Sequence, residues 1–285
     1  MGRIQTGWEL TKESWSVVKA DRSLVLFPVV AGVATVVTFA FWFAIGAAGW
    51  SAADSEWGAL PALILGIYAV TVIGQFAAVA LAACAQRSLH GADTTFGEGV
   101  AAARKVLPQI LVWAFISAAV GALISALQSV LREGVGALLS SLIGGLANAT
   151  WSIATFFVVP LIALEGTKPT DAIKQSSRLI RQQWGEGLVG SASIGLITFL
   201  LGFLPAMLII FAGVATDVEA IMVLAVVVGV GLMIAASVIQ VTLNTVFRVA
   251  LYRFATTGEA PGAFQSAQLE HAFVEKRRGG LFGGR

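Results

Sequence analysis

The sequence predicts an all-α, polytopic membrane protein with six transmembrane helices. They form three units, each an amphipathic helix followed by an antiparallel pair of spans. Three observations carry this. Of 285 residues, 57% are hydrophobic and only 12% are charged, about half the charged share of a soluble domain. That is too little charge to cover a water-facing surface, and too apolar a chain for disorder. The charges sit in short segments that separate six uncharged stretches, each at least 26 residues long, where about 20 suffice to cross a bilayer. The basic residues, finally, fall almost entirely on alternate connections.

The elements follow in order. Ile4, Trp8, Trp15 and Val18 recur at helical spacing, with Glu9, Lys12 and Lys19 elsewhere on the wheel, so an amphipathic helix opens the chain. The spans lie within Ser23–Ala53, Trp57–Gln86, Val106–Leu131, Gly134–Leu164, Gly187–Thr216 and Ala220–Phe247. Inside lipid every backbone N–H and C=O must be satisfied, which makes helices of these stretches. A barrel would show alternation over segments of about ten residues, and none is seen. The last run extends to Phe254, with Arg248 and Arg253 at or below the inner interface, about 50 Å of helix at 1.5 Å per residue, so it tilts or projects into the cytoplasm.

Two more amphipathic helices lie between spans. From Thr95 the apolar positions are Phe96, Val100, Ala103 and Leu107. From Thr170 they are Ala172, Ile173, Leu179, Ile180 and Trp184, opposed by a basic stripe of Lys174, Arg178 and Arg181 at i, i+4 and i+7. Their apolar sides fit either the lipid boundary or the flank of the bundle. A faint repeat accompanies them. Leu89-His90-Gly91 and Leu164-Glu165-Gly166 close spans two and four, and Gly258 precedes Pro261 as Gly166 precedes Pro169. Glycine supplies the left-handed helix cap, and proline or threonine starts the next helix. The units run about 1–90, 91–166 and 167–257 within one membrane domain, 1–257. Residues 258–285 form a cytoplasmic amphipathic segment and a basic, glycine-rich tail.

The topology follows from lysine and arginine. The segment before span one, the connections after spans two and four, and the chain from Arg248 onward hold 17 of the 18 basic residues. The other three connections hold only Arg132, beside Asp54, Glu56, Glu133, Asp217 and Glu219. Both termini are therefore expected in the cytoplasm. The first 22 residues carry seven charges and the first apolar run is too long for a signal peptide, so span one is expected to stay as an anchor. Trp50, Trp57 and Trp184 suit the interfacial aromatic belts.

Candidate sites are few. Lys174, Arg178, Arg181 and the tail cluster Lys276, Arg277 and Arg278 are candidate contacts to anionic lipid. Gln75, Asn148, Gln240, Asn244 and Arg248 are candidates for an intramembrane polar groove, the last three at i, i+4 and i+8; plain interhelical hydrogen bonds are the alternative. Ser117, Gly121, Ser125 and Ser129 on span three, and Ser140, Gly144, Asn148 and Ser152 on span four, are small-residue faces expected to meet. Pro205, near Gly202, is expected to kink span five; Pro28 and Pro160 sit nearer span ends. No phosphate loop, zinc-helix motif or serine–histidine–carboxylate set is found. Lone Cys84 among alanines fits packing, and neither a metal nor a cofactor is expected. The basic residues belong to topology and helix faces, so nucleic acid is not an expected partner; lipid, a membrane-protein partner or a second copy is.

The string Gly7-Trp8, Ser14-Trp15, Lys19, Asp21 and Leu24-Val25-Leu26-Phe27-Pro28 resembles the start of an uncharacterised family of bacterial, largely actinobacterial, six-span proteins, known as a domain of unknown function. The helix-plus-span-pair order is also similar to the membrane domain attached to some glycerophosphodiester phosphodiesterases, without their catalytic domain. The resemblance implies a six-span fold and brings no site residues. A non-enzymatic protein that organises lipid or partner proteins at the inner leaflet is the expected function; a transporter of small solutes or lipid through the polar groove is the alternative.

Overall fold

The computed structural model describes residues 3–183, 189–216 and 218–258, and no strand occurs among them. The chain is a polytopic membrane protein with six helices long and apolar enough to cross a membrane. Helix α1 is Arg3–Ala20 and α2, the first span, is Ser23–Ala53, the same bounds as the first uncharged stretch. After a 3-10 turn at Glu56–Ala59 come α3 (Leu60–Leu89), the short α4 (Phe96–Lys105) and α5 (Leu107–Val135). Span four is divided into α6 (Ala137–Ala154) and α7 (Val158–Glu165), and α8 (Pro169–Gln183) follows. Span five is α9 (Val189–Thr198), a π turn (Phe199–Phe203) and α10 (Leu204–Val214); span six is α11 (Glu219–Thr257). A short helix followed by two antiparallel spans thus occurs three times. Gly91, Gly166 and Gly258, which close α3, α7 and α11, all have positive φ (77°, 65° and 73°), as expected of left-handed caps.

The core occupies one end of the bundle. It takes Leu24 and Phe27 from the start of α2, Val79 to Leu89 from the end of α3, and Ile110 and Trp113 from the start of α5. Phe156 to Ile162, Ile194 and Leu243 to Tyr252 complete it from spans four, five and six. Helix α3 is its centre, touching α2, α4, α5, α7 and α11. Toward the other end the three hairpins diverge and present apolar side chains outward, such as Phe43 (68% exposed), Leu138 and Phe211 (both 78%). Such side chains are at home in hydrocarbon and nowhere else. There the helices of the first and third hairpins pack on each other through small residues. A Cβ on Gly49 or Gly58 would meet the other glycine's carbonyl oxygen at 2.3 or 2.2 Å, and one on Gly213 would meet Ala225 Cβ at 2.1 Å.

Two prolines shape the spans. Pro205 lacks an N–H and its ring presses on the preceding turn. The π turn just before it, where Leu204 N–H bonds to the Phe199 carbonyl, absorbs the misfit, as π turns do within α-helices. Pro160, although it sits nearer the end of its span, has the larger effect. Its ring disfavours the helical bond to residue 156, and the helix is interrupted between Ala154 and Val158. Pro28 lies within an uninterrupted α2.

The helices between spans lie against the bundle. On α8, Ala172, Ser176 and Ile180 are buried, Ile173 and Leu179 half-buried, and Lys174, Arg178 and Arg181 exposed. On α4, Ala103 and Gly99 are buried, and Phe96 stacks on Phe27 at 4.9 Å between centroids. The four positions picked out on α1 do not share a setting. Val18 is buried, Trp8 and Trp15 are exposed, and the Ile4 side chain lies outside the described residues, as does Trp184. Lys12 Nζ stands 5.7 Å from the Trp8 ring centre and Lys19 Nζ 5.8 Å from that of Trp15. The buried face of α1 is Thr11, Ser14, Val17 and Val18, and the helix packs on α9 and α11.

Candidate functional site

Polar chemistry gathers at the core end. The buried Asp21 carboxylate, at the turn between α1 and α2, accepts from Ser23 N (3.0 Å), Thr94 N (3.1 Å) and the Thr94 hydroxyl (2.5 Å). This ties the first hairpin to the α3–α4 loop. Thr95 then caps α4: its hydroxyl accepts from Glu98 N, and Glu98 accepts from Thr95 N at 2.9 Å and pairs with Arg87 at 3.1 Å. The Thr95 N–H and the Arg87 guanidinium hold the Glu98 carboxyl below its usual range. The Tyr252 hydroxyl donates to Glu165, and the His90 ring bridges Gln86 O (2.7 Å) and Arg253 (3.5 Å). The Cys84 thiol is buried and directed at the Thr95 carbonyl, 3.8 Å away. These contacts tie helix ends together.

The five residues expected in one groove are divided among three places. Gln75 accepts from Trp113 Nε1 at 2.9 Å between α3 and α5, and Trp113 stacks on Trp151. Asn148 is exposed on α6 and donates to Gly144 O of its own helix. Only Gln240, Asn244 and Arg248 remain together, on one face of α11. The position of a Gly195 Cβ is 3.7 Å from Gln240 Nε2, so this face turns toward α9. Asn244 Oδ1 and Arg248 Nε are buried and without a hydrogen-bond partner. The Arg248 guanidinium lies 4.8 Å from the centre of the Phe156 ring.

The two small-residue faces meet only in part. Ser140 and Gly144 of α6 are buried, but what fills the space over Gly144 is Gln128 of α5. Gly121, Ser125 and Ser129 are exposed on α5, as are Asn148 and Ser152 on α6. The longer Gln128 side chain occupies the seam that the small residues were expected to close.

The exposed Lys174, Arg178 and Arg181 share the core end of the bundle with Arg22, Arg104, Lys105 and Lys168, all exposed. Lys174 has Asp171 at 3.9 Å, too loose and exposed to neutralise it. Lys276, Arg277 and Arg278 lie outside the described residues. No group of three or more histidine, cysteine or acidic side chains able to hold a metal occurs among the described residues. Apolar clefts of about 350, 700 and 270 Å³ open between α1, α9 and α11, and on two sides of the first hairpin. None of the five polar residues lines them.

One arrangement went unforeseen. The break in span four releases the Phe157 N–H, which donates to the buried Ser176 hydroxyl of α8 at 3.1 Å. Ser177 Oγ reaches the Ala154 carbonyl at 3.4 Å. Pro160 downstream, and a serine on the inner face of the next amphipathic helix, were the available signals.

A comparison with curated proteins finds no match. Residues 59–262 match a family described as a family of unknown function (DUF6159). The matched stretch holds spans two to six, α4 and α8, with Arg248 and the stripe of α8. The opening string Gly7 to Pro28 precedes it, so the assignment rests on other residues than those that first pointed to such a family. With well over half of its length matched, the chain belongs to the DUF6159 family of unknown function.

Proposed function

We propose that this is a non-enzymatic protein of a bacterial cytoplasmic membrane that organises lipid, or proteins held there, at the inner leaflet, with both termini in the cytoplasm. The observation that carries the reading is α8. Its inner face, Ala172, Ser176 and Ile180, is spent on the bundle, and Lys174, Arg178 and Arg181 point outward from the core end. The positive-inside rule supports placing that end in the cytoplasm, where leaflet lipids are anionic. Each lysine or arginine near such a surface contributes up to about 1 kcal/mol, and three on one rigid helix draw anionic lipid to this face.

The test is lipid retention by the full chain purified from phosphatidylglycerol-containing membranes. Replacing Lys174, Arg178 and Arg181 by Gln is expected to lower the anionic lipid retained severalfold with the fold intact; unchanged retention overturns the role of the stripe. The transporter alternative needs a shared groove. Gln75 bonded to Trp113 and Asn148 bonded to its own helix weigh against it.

A further inference from the structure

Arg248 lies within the helix of span six, four residues after Asn244. A guanidinium there is ordinarily paired, because withdrawing a charge from water without a counter-charge is costly. Among the described residues Nε has no acceptor, and Asn244 Oδ1, one turn away, has no donor. Ion pairs among the described residues link Arg87 with Glu98 and Lys174 with Asp171, and none involves Arg248. The Phe156 ring at 4.8 Å recovers only part of the lost hydration. The side chain is half-buried, so its inner edge is sealed and its outer edge is reachable.

The surface of α11 beyond it indicates what reaches it. Val241, one turn before Asn244 and on the same side, is 48% exposed, and the track continues through Ile234 (60%), Val230 (43%) and Val227 (64%). An apolar track thus runs from the divergent end of the hairpin to a cation without a counter-ion. A molecule with an anionic head and a long apolar tail matches both. We infer that Arg248 and Asn244 form a seat for the phosphate of one bound phospholipid. The guanidinium donates to phosphate oxygens, with which its planar fork is matched. The Asn244 carboxamide, one turn before it, forms the inner wall of the seat, and the acyl chain lies along Val241, Ile234 and Val227. The seat is separate from the α8 stripe and stands without it.

The full chain in phosphatidylcholine nanodiscs, titrated with phosphatidylglycerol and followed by thermal unfolding and native mass spectrometry, tests this. Wild type is expected to hold one phosphatidylglycerol tightly and to unfold at higher temperature as it binds. Arg248→Met is expected to unfold no earlier than wild type in phosphatidylcholine, because it removes an unpaired charge, and to bind phosphatidylglycerol at least tenfold more weakly. Arg248→Lys, a point charge without the fork, falls between. Replacing Lys174, Arg178 and Arg181 by Gln removes loosely held lipid and leaves the single tight one, so the two sites fail separately. If Arg248→Met unfolds early in phosphatidylcholine yet binds lipid like wild type, Arg248 is a packing element and the seat is refuted. Should that variant not fold, Asn244→Leu carries the test, with a severalfold loss expected and none refuting it. Inorganic phosphate reproducing the thermal shift in phosphatidylcholine would assign the seat to a soluble anion and overturn the lipid.

Discussion

Replacing Ser176 by Ala removes the acceptor of a single backbone N–H. The Ser176 hydroxyl takes the Phe157 N–H at 3.1 Å, and both residues are fully buried. That N–H is turned away from its own helix because Pro160 interrupts span four at residues 155–157. Alanine leaves it buried with no acceptor, which costs about 1–3 kcal/mol; the space vacated by one oxygen adds little. At about 1.4 kcal/mol per factor of ten, the folded-to-unfolded ratio falls roughly five- to 150-fold. Unfolding in mixed SDS micelles reads this directly. Ser177→Ala is the control: its 3.4 Å bond to the Ala154 carbonyl is long and part-buried, and its loss is expected to cost under about 1 kcal/mol. In a Pro160→Ala background, where the helical bond to residue 156 is restored, Ser176→Ala is expected to cost less, a coupling that a double-mutant cycle measures. A cost below about 0.5 kcal/mol, the scatter of neutral surface changes, or equal costs at Ser176 and Ser177, would refute the idea that α8 is pinned by the break.

Two further outcomes follow from the geometry. Glu98, held below the ordinary glutamate value of 4.5 by the Thr95 N–H and Arg87, stabilises the start of α4 fully above that value and loses this as pH falls through its lowered folded value. Protection of the first α4 amides against hydrogen exchange, relative to their intrinsic rates, should therefore fall on acidification in wild type but not in Glu98→Gln, whose amide keeps the cap; the same acid response in both would show that the pair is idle. Gly213→Val, placed where a Cβ meets Ala225 at 2.1 Å, is expected to destabilise by about 1–3 kcal/mol. Gly231→Ala, with nothing within 4 Å, is expected to be neutral or to stabilise by up to about 1 kcal/mol through helix propensity. Similar SDS-unfolding midpoints for the two would contradict the packing of the third hairpin.

Much of the architecture was legible from the sequence. Ser23–Ala53 was delimited to the residue by the charges of Asp21-Arg22 and Asp54, and the other spans differ from their uncharged stretches mainly at the ends, where a helix continues into charged residues such as Arg87. The caps at Gly91, Gly166 and Gly258 were also readable, because left-handed backbone is a local property that glycine alone adopts freely. The candidate site was less so. Gln75, Asn148 and Gln240 look alike as uncharged polar residues at depth, yet one is bonded to Trp113, one to its own backbone and one turns toward α9. The residue type does not distinguish them, since what each side chain meets depends on whether another helix lies opposite it. Gln128 likewise displaced the small residues expected opposite Gly144.

By itself, the sequence determined six apolar helices, their alternating direction and the gathering of nearly all basic residues at one end. These are relations between the chain and its solvent, and they act residue by residue. Tertiary structure alone decided that the core is confined to that same end and that the hairpins diverge from it. It also decided that Ser176 closes a broken helix and that Arg248 stands over Phe156 with no carboxylate of the described residues beside it. Those outcomes belong to pairs of segments far apart in the chain, and packing selects them because buried polar groups and close-packed side chains must be matched by whatever lies opposite.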